Sequence, residues 1–353
     1  MSWGASGGGP ASPVRLPRGD HGGPTLGGMT TSPPLEQGVI RSLPLELDPA
    51  VGHEAELAAL IAPGTSLDLL ADGGIWFEGP AWVSETEIVW SDVVGNRLLT
   101  WSPDAGAGIL LEPSHHQNGH TLDGEGRLLA ASHGERAIVR RELDGAWAVV
   151  VDRHDGRRFN SPNDLVVAAD GAVWFTDPRY GIDKPEEGYG GEVEMDGCHV
   201  YRVAPDGHVR VVARAQPGPN GLAFSPAGDV LYLADSEAGH VLAFPVTTAS
   251  AVARDPRDGE PHLGAPTTFA LIAPGAPDGV RVDSDGRLWV SSGSGVQVYV
   301  PGTPGGPGER LGTIRVPEPT ANLAFGGPGR SVLAITATSG LYRVATTVRG
   351  VGS

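Results

Sequence analysis

The sequence has little of three features, and each shortage excludes a class of protein. It contains one cysteine, Cys198, which excludes a disulfide framework or a cysteine-rich zinc site within one chain. No apolar run approaches the roughly 20 residues that cross a bilayer. Lys and Arg number 25 against 42 Asp and Glu, a net charge of −17. We therefore expect neither nucleic acid nor an anionic membrane as a partner.

The start of the chain also lacks the features of a targeting segment. It has neither the charged beginning nor the apolar core of a signal peptide, so we expect a cytoplasmic protein. Residues 1–45 are rich in Gly, Pro and Ser without an apolar period, which predicts a disordered tail. We further predict a short lead-in over 46–65, a main domain over 66–344 and a C-terminal tail over 345–353.

Glycine and proline, by contrast, are abundant. The 53 Gly and 31 Pro among 353 residues are typical of many short strands separated by tight turns. Asp-Gly pairs that follow apolar runs, such as Asp123-Gly124, Asp170-Gly171 and Asp285-Gly286, predict hairpins. The composition therefore indicates an all-β protein.

A short motif returns six times and sets the organisation of the chain. Each copy places one polar, oxygen-bearing side chain before an apolar run; the copies lie at Glu78, Asn118, Asn163, Asn220, Asp278 and Asn322. The steps between them are 40, 45, 57, 58 and 44 residues. A period of about 40–50 residues is that of a propeller blade with four strands. We predict a six-bladed β-propeller with four-stranded antiparallel blades.

Strand counting also predicts how the ring closes. The sixth blade ends after Val344 without a convincing fourth strand, whereas Leu67–Ala71 resembles the fourth strands of the other blades. Pairing this N-terminal strand with the end of the chain would remove two open sheet edges. We therefore expect the N-terminal strand to complete the sixth blade.

The six motif side chains should converge on the central tunnel, because the first strand of each propeller blade lines it. All six offer hard oxygen atoms and none offers sulfur. Carboxylate and amide oxygens together are calcium ligands, with magnesium or manganese possible. The alternative is that Asn and Asp before Gly simply form turns, but Glu78 is a poor turn residue. A zinc cluster of His115, His116 and His120 is disfavoured, since no helical period holds them on one face.

Several segments of the chain are distinctive in order as well as in composition. They are Trp76-Phe77-Glu78-Gly79-Pro80-Ala81-Trp82, Trp90-Ser91-Asp92, Arg158-Phe159-Asn160-Ser161-Pro162-Asn163-Asp164, Trp174-Phe175-Thr176-Asp177-Pro178, Pro219-Asn220-Gly221-Leu222-Ala223-Phe224-Ser225-Pro226, Pro277-Asp278-Gly279 and Asn322-Leu323-Ala324-Phe325-Gly326-Gly327. Together they resemble the senescence marker protein (regucalcin)/gluconolactonase/luciferin-regenerating-enzyme-like family. The resemblance covers about residues 60–344.

The resemblance implies one divalent metal in the tunnel, usually calcium, with manganese, magnesium or zinc as alternatives. By motif position it places the metal ligands on Glu78, Asn163, Asn220 and Asp278. It implies that a small-molecule substrate contacts Asn118, His120, His133 and the loop after Tyr180.

The function implied is that of a metal-dependent lactonase that opens a sugar-acid lactone, gluconolactone being the family's usual example. Because calcium acidifies water less than zinc does, a carboxylate base is needed, and Asp278 is the candidate. Two alternatives remain open at this point: a calcium-dependent phosphotriesterase, or a calcium-binding regulatory protein without turnover.

Overall fold

The architecture is a ring of six antiparallel sheets. The computed structural model describes residues 40–248, 261–303 and 306–351, and within these ranges six sheets of four or five strands are present. Their innermost strands contact one another in sequence around the ring, and the last contacts the first. The predicted six-bladed propeller is confirmed. Among the described residues, no helix is sufficiently long and apolar to span a bilayer.

The described residues before blade one contribute outer strands to two blades. Their elements are β1 (Arg41–Leu43), β2 (Leu47–Pro49), helix α1 (Glu54–Ala59) and β3 (Leu67–Ala71). The strands of blade one are β4 (Phe77–Trp82), β5 (Ile88–Asp92), β6 (Arg97–Ser102) and β7 (Gly106–Leu111). The strands of blade two are β8 (Gln117–Leu122), β9 (Leu128–Ser132), β10 (Ala137–Arg141) and β11 (Trp147–Val151).

Blade three carries a helical insertion between its second and third strands. A hairpin of β12 (Arg153–His154) and β13 (Arg157–Arg158) precedes it. The elements of the blade are β14 (Leu165–Val167), β15 (Val173–Asp177), α2 (Tyr180–Asp183), a 3₁₀ helix (Pro185–Glu187), β16 (His199–Val203) and β17 (Val209–Ala213). Blade four contains β18 (Pro219–Phe224), β19 (Val230–Asp235), β20 (His240–Thr248), β21 (Pro261–Leu263) and β22 (Thr267–Leu271). The last two both pair with β20.

The last two blades also include strands from the residues before blade one. Blade five contains β23 (Val280–Val282), β24 (Leu288–Ser292), β25 (Gly295–Val300) and β26 (Glu309–Arg315), with β2 as its fifth strand. Blade six contains β27 (Thr320–Gly326), a 3₁₀ helix (Pro328–Arg330), β28 (Val332–Ala337) and β29 (Leu341–Ala345). Its fourth strand is β3 and its fifth is β1.

The predicted ring closure is confirmed in register. Leu341 of β29 pairs with Ala71 of β3, and Arg343 pairs with Asp68. The Arg343 guanidinium also donates to Asp68 Oδ2 at 3.1 and 3.2 Å, across the two strands. The first and last parts of the propeller are therefore joined within one blade.

Described residues near both ends of the chain contact the propeller. The tail predicted over 1–45 lies largely outside the described residues, but its last part includes β1, which pairs with β3. Leu43 and Leu45 pack against the core there. At the other end Val351 N–H donates to the carbonyl oxygen of Val282 at 3.0 Å, so the C-terminal segment packs on blade five.

Aromatic side chains fill the seams between blades. Trp174 and Trp289, on second strands, are fully buried. Trp174 meets Phe224 of the next blade edge-on with ring centroids 5.3 Å apart, and Trp289 meets Phe325 in the same way at 5.2 Å. These large apolar contacts hold neighbouring blades in fixed positions and so fix the geometry of the tunnel between them.

Candidate active site

The six motifs form the wall of the tunnel because their backbones bond directly to one another. Gly119 N–H donates to the carbonyl oxygen of Asn163 at 2.9 Å, and Gly221 N–H donates to that of Asp278 at 3.1 Å. These approaches require glycine, since a Cβ on Gly79 would lie 2.0 Å from the carbonyl oxygen of Asn118. Glycine follows the polar residue in four of the six motifs, at Gly79, Gly119, Gly221 and Gly279, and there it allows close contact between blades.

The amide side chains of the motif form one hydrogen-bonded chain across the tunnel. Asn118 Nδ2 donates to Asn163 Oδ1 at 3.0 Å, and Asn163 Nδ2 donates to Asn220 Oδ1 at 2.7 Å. Asn220 Nδ2 donates to Ser236 Oγ at 3.0 Å, and that hydroxyl donates to the carbonyl oxygen of Pro277 at 2.7 Å. The side chains of Asn118 and Asn163 are therefore oriented by the next blade, and that of Asn220 by Ser236 of its own blade.

The two motif carboxylates face each other on the other side of this cluster. Glu78 is 3% exposed, and burial raises the pKa of its carboxyl to about 7 in spite of the N–H of Gly79 that it accepts. Burial, followed by the negative charges of Glu78 and Asp164, raises the pKa of Asp278 well above its usual range. Two carboxylates so close together need a shared proton or a cation.

Two oxygen atoms of the cluster are buried without a hydrogen-bond partner: Asp278 Oδ1 and Asn118 Oδ1. Unpaired buried acceptors are costly, so such atoms indicate a place for a ligand. Among the described residues, no group of three or more His, Cys, Asp or Glu side chains could hold a metal ion. The donors available here are two carboxylates and amide oxygens, a set that fits a hard divalent cation.

The predicted histidines lie at different depths. His133 joins the cluster, with Nε2 3.0 Å from Asn163 Oδ1 and Nδ1 3.0 Å from the carbonyl oxygen of Glu187. Burial lowers its pKa to about 4, so the imidazole is neutral and donates to one of the two. His120 lies deeper, with Nδ1 2.7 Å from the carbonyl oxygen of Gly79, and it lines the cavity at the opposite end of the tunnel. Burial lowers its pKa to about 4 as well.

The disfavoured histidine cluster does not form. His116 Nδ1 lies 2.7 Å from the carbonyl oxygen of Val93, and its ring packs edge-on against Tyr189 at 4.5 Å. Both contacts tie its ring to the protein, and burial lowers its pKa. We therefore assign His116 to the support of the insertion in blade three.

That insertion, residues 178–198, lies over the cluster and is attached to it at several points. Gly181 N–H donates to Ser161 Oγ at 3.0 Å, and a Cβ at Gly181 would lie 2.7 Å from His133 Cβ. The Tyr180 hydroxyl lies 3.4 Å from the carbonyl oxygen of Gly218, which it approaches as a donor. Burial and then the negative charge of Asp278 raise the Tyr180 pKa. Tyr180 therefore faces the carboxylate side of the site.

The structure thus brings together Glu78, Asn118, Asn163, Asn220, Asp278, His133 and Tyr180, whereas His120 lies below them. Three further residues that surround the cluster were not predicted from the sequence. Ser236 holds Asn220, Asp164 adds negative charge near both carboxylates, and Glu187 presents its carbonyl to His133. Asp164 directly follows the motif residue Asn163 in the sequence. Ser236 lies in a turn and Glu187 in the 3₁₀ helix of the insertion, and neither belongs to a repeated pattern.

Several known proteins are similar to this chain in sequence and structure. Residues 76–339 match the family described as the SMP-30/Gluconolactonase/LRE-like region. A gluconolactonase from Zymomonas mobilis is 32% identical over 322 residues, which cover 83% of this chain and 85% of that protein. A pentonolactonase from Haloferax volcanii is 30% identical over 74% of this chain and 81% of its own length. The solved structure of a gluconolactonase from Xanthomonas campestris has a TM-score of 0.76 and 37% identity, covering 88% of this chain and 98% of that one.

Proposed function

This chain belongs to the SMP-30/Gluconolactonase/LRE-like family, and we propose that it is a lactonase that hydrolyses a sugar-acid lactone at the Glu78–Asp278 cluster with the help of a divalent metal. Its relatives support a sugar-lactone hydrolase, since similar chains at 30–32% identity are a gluconolactonase and a pentonolactonase. The substrate is accordingly a small molecule with several hydroxyl groups and one ring ester.

One observation supports Asp278 as the residue beside which the reaction takes place. Asp278 Oδ1 is buried without a hydrogen-bond partner, beside a second buried carboxylate, in the tunnel that the insertion covers. A carboxylate oxygen in this position is free to accept a proton. Burial and the neighbouring negative charges raise the pKa of Asp278 in the metal-free protein, and a bound cation would favour the carboxylate form that a general base needs.

The metal would be held by Glu78, Asn163, Asn220 and Asp278, which lie at the start of the inner strands of four blades. Calcium fits this set best, because the ligands are two carboxylates and neutral amides. When bound, the cation would offset the repulsion between the carboxylates and polarise the lactone carbonyl oxygen.

The protein's own residues would supply the remaining steps. Asp278 takes a proton from water as the water oxygen attacks the carbonyl carbon. The ring C–O bond then breaks, and Asp278 returns the proton to the leaving ring oxygen, which becomes the hydroxyl of the hydroxy acid. Asn118 Oδ1, which has no partner, and the hydroxyl of Tyr180 are placed to bind substrate hydroxyls. His133, neutral and fixed by Asn163 and Glu187, orients the amide chain.

The experiment compares Glu78→Gln with Asp278→Asn at saturating calcium, using gluconolactone and pentonolactones as substrates. Glu78→Gln should mainly lower metal affinity, so excess metal should restore much of the turnover. Asp278→Asn keeps an oxygen ligand and the volume but removes the base, so kcat should fall by about 10²–10⁴-fold.

Metal content separates this proposal from its rivals. Asn163→Ala and Asn220→Ala should bind calcium more weakly while keeping the fold, measured by elemental analysis and by the thermal shift on adding metal. Equal recovery of both carboxylate variants would mean that Asp278 is only a ligand. Turnover of phosphotriesters but not of lactones, or no turnover with calcium bound, would replace the proposed activity.

A further inference from the structure

A second cavity occupies the other end of the tunnel. The motif residues lie at the start of each inner strand, whereas this cavity is lined by the ends of those strands and the turns after them, such as Gly124, Gly171 and Gly228. Its volume is about 810 Å³. The cavity is therefore separate from the Glu78–Asp278 cluster and opens on the opposite face of the ring.

The same position of all six blades lines this cavity, and none of the six residues there is polar. The positions four residues after the motif all line it, and they are Trp82, Leu122, Val167, Phe224, Val282 and Gly326. The glycine leaves room for the indole of Trp82, because a Cβ at Gly326 would lie 2.0 Å from Trp82 Cγ. Trp82 Nε1 donates to the carbonyl oxygen of Ala324 at 3.2 Å, which fixes the ring across the seam between blades one and six.

One charged side chain breaks this apolar pattern. Three residues after the motif the other blades carry Ala81, Thr121, Val166, Ala223 and Phe325, whereas blade five carries Arg281. Because the other five blades have no charged residue at this position, the blade fold does not require a cation there. The Arg281 side chain lines the cavity and is 19% exposed.

Arg281 has one carboxylate partner within the protein, at the edge of ion-pair distance. Its Nη1 donates to the carbonyl oxygen of Val280 at 2.7 Å and to the buried Asp164 Oδ2 at 3.5 Å. That same carboxylate oxygen lies 3.4 Å from Asn322 Nδ2.

A second cation, Arg330, also lines the cavity. Its guanidinium donates to the carbonyl oxygen of Val351, and no carboxylate of the described residues lies within ion-pair distance of it. Of the two carboxylates in the lining, Glu85 and Asp170, the second is paired with Arg202 at 2.7 Å.

We propose that this cavity is a binding site for a small organic anion with an apolar body, such as a medium-chain carboxylate. The anionic head would pair with Arg281, and the hydrocarbon part would pack against Trp82, Leu122 and Phe224. A cavity of about 810 Å³ is within the range of sites for molecules of this size. The site does not rest on the lactonase proposal, because neither Glu78 nor Asp278 lines the cavity.

The test is calorimetric titration of the full chain with three ligands that share one ten-carbon tail: decanoate, decanol and decylammonium, each below its micelle concentration. Decanoate should bind at least tenfold more tightly than decanol, and decylammonium should not bind measurably. Arg281→Met should weaken decanoate about tenfold or more and leave decanol unchanged. Arg140→Met, which removes an arginine on the outside of blade two, is the matched control and should change nothing.

A second variant fixes the location. Val167→Trp would fill part of the cavity and should weaken decanoate and decanol alike. Equal affinity of the unaltered protein for decanoate and decanol would overturn the proposal, and so would decanoate binding that persists in Val167→Trp. Competition between decanoate and a lactone substrate would place the anion at the other end of the tunnel and would also overturn it.

Discussion

The buried carboxylate Glu78 makes a quantitative prediction about stability and pH. Its pKa is raised from 4.5 to about 7 in the folded protein, chiefly by burial. The folded chain therefore holds this proton more tightly than the unfolded chain does. Its contribution to stability is fully present below about pH 4.5 and is lost as pH rises through about 7.

The size of the loss follows from the shift. At about 1.4 kcal/mol per pKa unit, the metal-free protein should lose about 3 kcal/mol of unfolding free energy through this one group. Most of the loss falls between pH 5 and pH 8. Glu78→Gln has no such proton to lose and also relieves the charge that raises the pKa of Asp278. The variant should therefore be the more stable of the two at pH 8 when metal is absent.

The measurement is urea unfolding at pH 5 and pH 8 in the presence of a chelator. The exposed carboxylate variant Glu125→Gln is the control and should follow the unaltered protein. Excess calcium should raise the stability of the unaltered protein most at pH 8, and that of Glu78→Gln much less. If the unaltered protein and Glu78→Gln lose the same free energy between the two pH values, Glu78 is not held in a costly environment and the reasoning fails.

Two further predictions concern the ring. A chain that begins after Ala71 lacks β3 and should be unfolded or aggregated. A chain that begins at residue 40 keeps every described strand and should have a melting temperature near that of the full chain. A soluble monomer with an unchanged melting temperature after the longer deletion would contradict the ring closure. Gly79→Ala should cost more than about 2 kcal/mol in urea unfolding, because its φ is +46° and the new Cβ would meet the Asn118 carbonyl oxygen at 2.0 Å. Gly124→Ala, whose Cβ meets nothing within 4 Å, is the matched control and should be near neutral.

The repeat in the sequence was sufficient for the ring and its closure, because both depend on a local pattern. A polar residue before an apolar run marks each inner strand, and Leu67–Ala71 matched the missing outer strand in length and pattern. The additional outer strands β1 and β2 could not be predicted in this way. They have three residues each and are stabilised by pairing with β3 and β26.

The residues of the candidate site were predictable from the sequence, whereas most of the hydrogen bonds among them were not. Convergence of Glu78 and the Asn side chains follows from the blade repeat. Which amide donates to which depends on inter-blade distances that the sequence does not encode locally, as in the pair Asn163 and Asn220 at 2.7 Å. His120 lies toward the other end of the tunnel because it stands two residues after the motif residue Asn118 along β8.

The pairing of β3 with β29 also determines when the protein can complete its fold during synthesis. The partners Ala71 and Leu341 are 270 residues apart. At a typical rate of about 5–20 residues per second, β3 leaves the ribosome roughly tens of seconds before its partner strand exists. Throughout that interval the edge of β3 that later pairs with β29 is unpaired and open to other chains. The early N-terminal strand is thus the point at which a nascent chain of this protein is most exposed to aggregation.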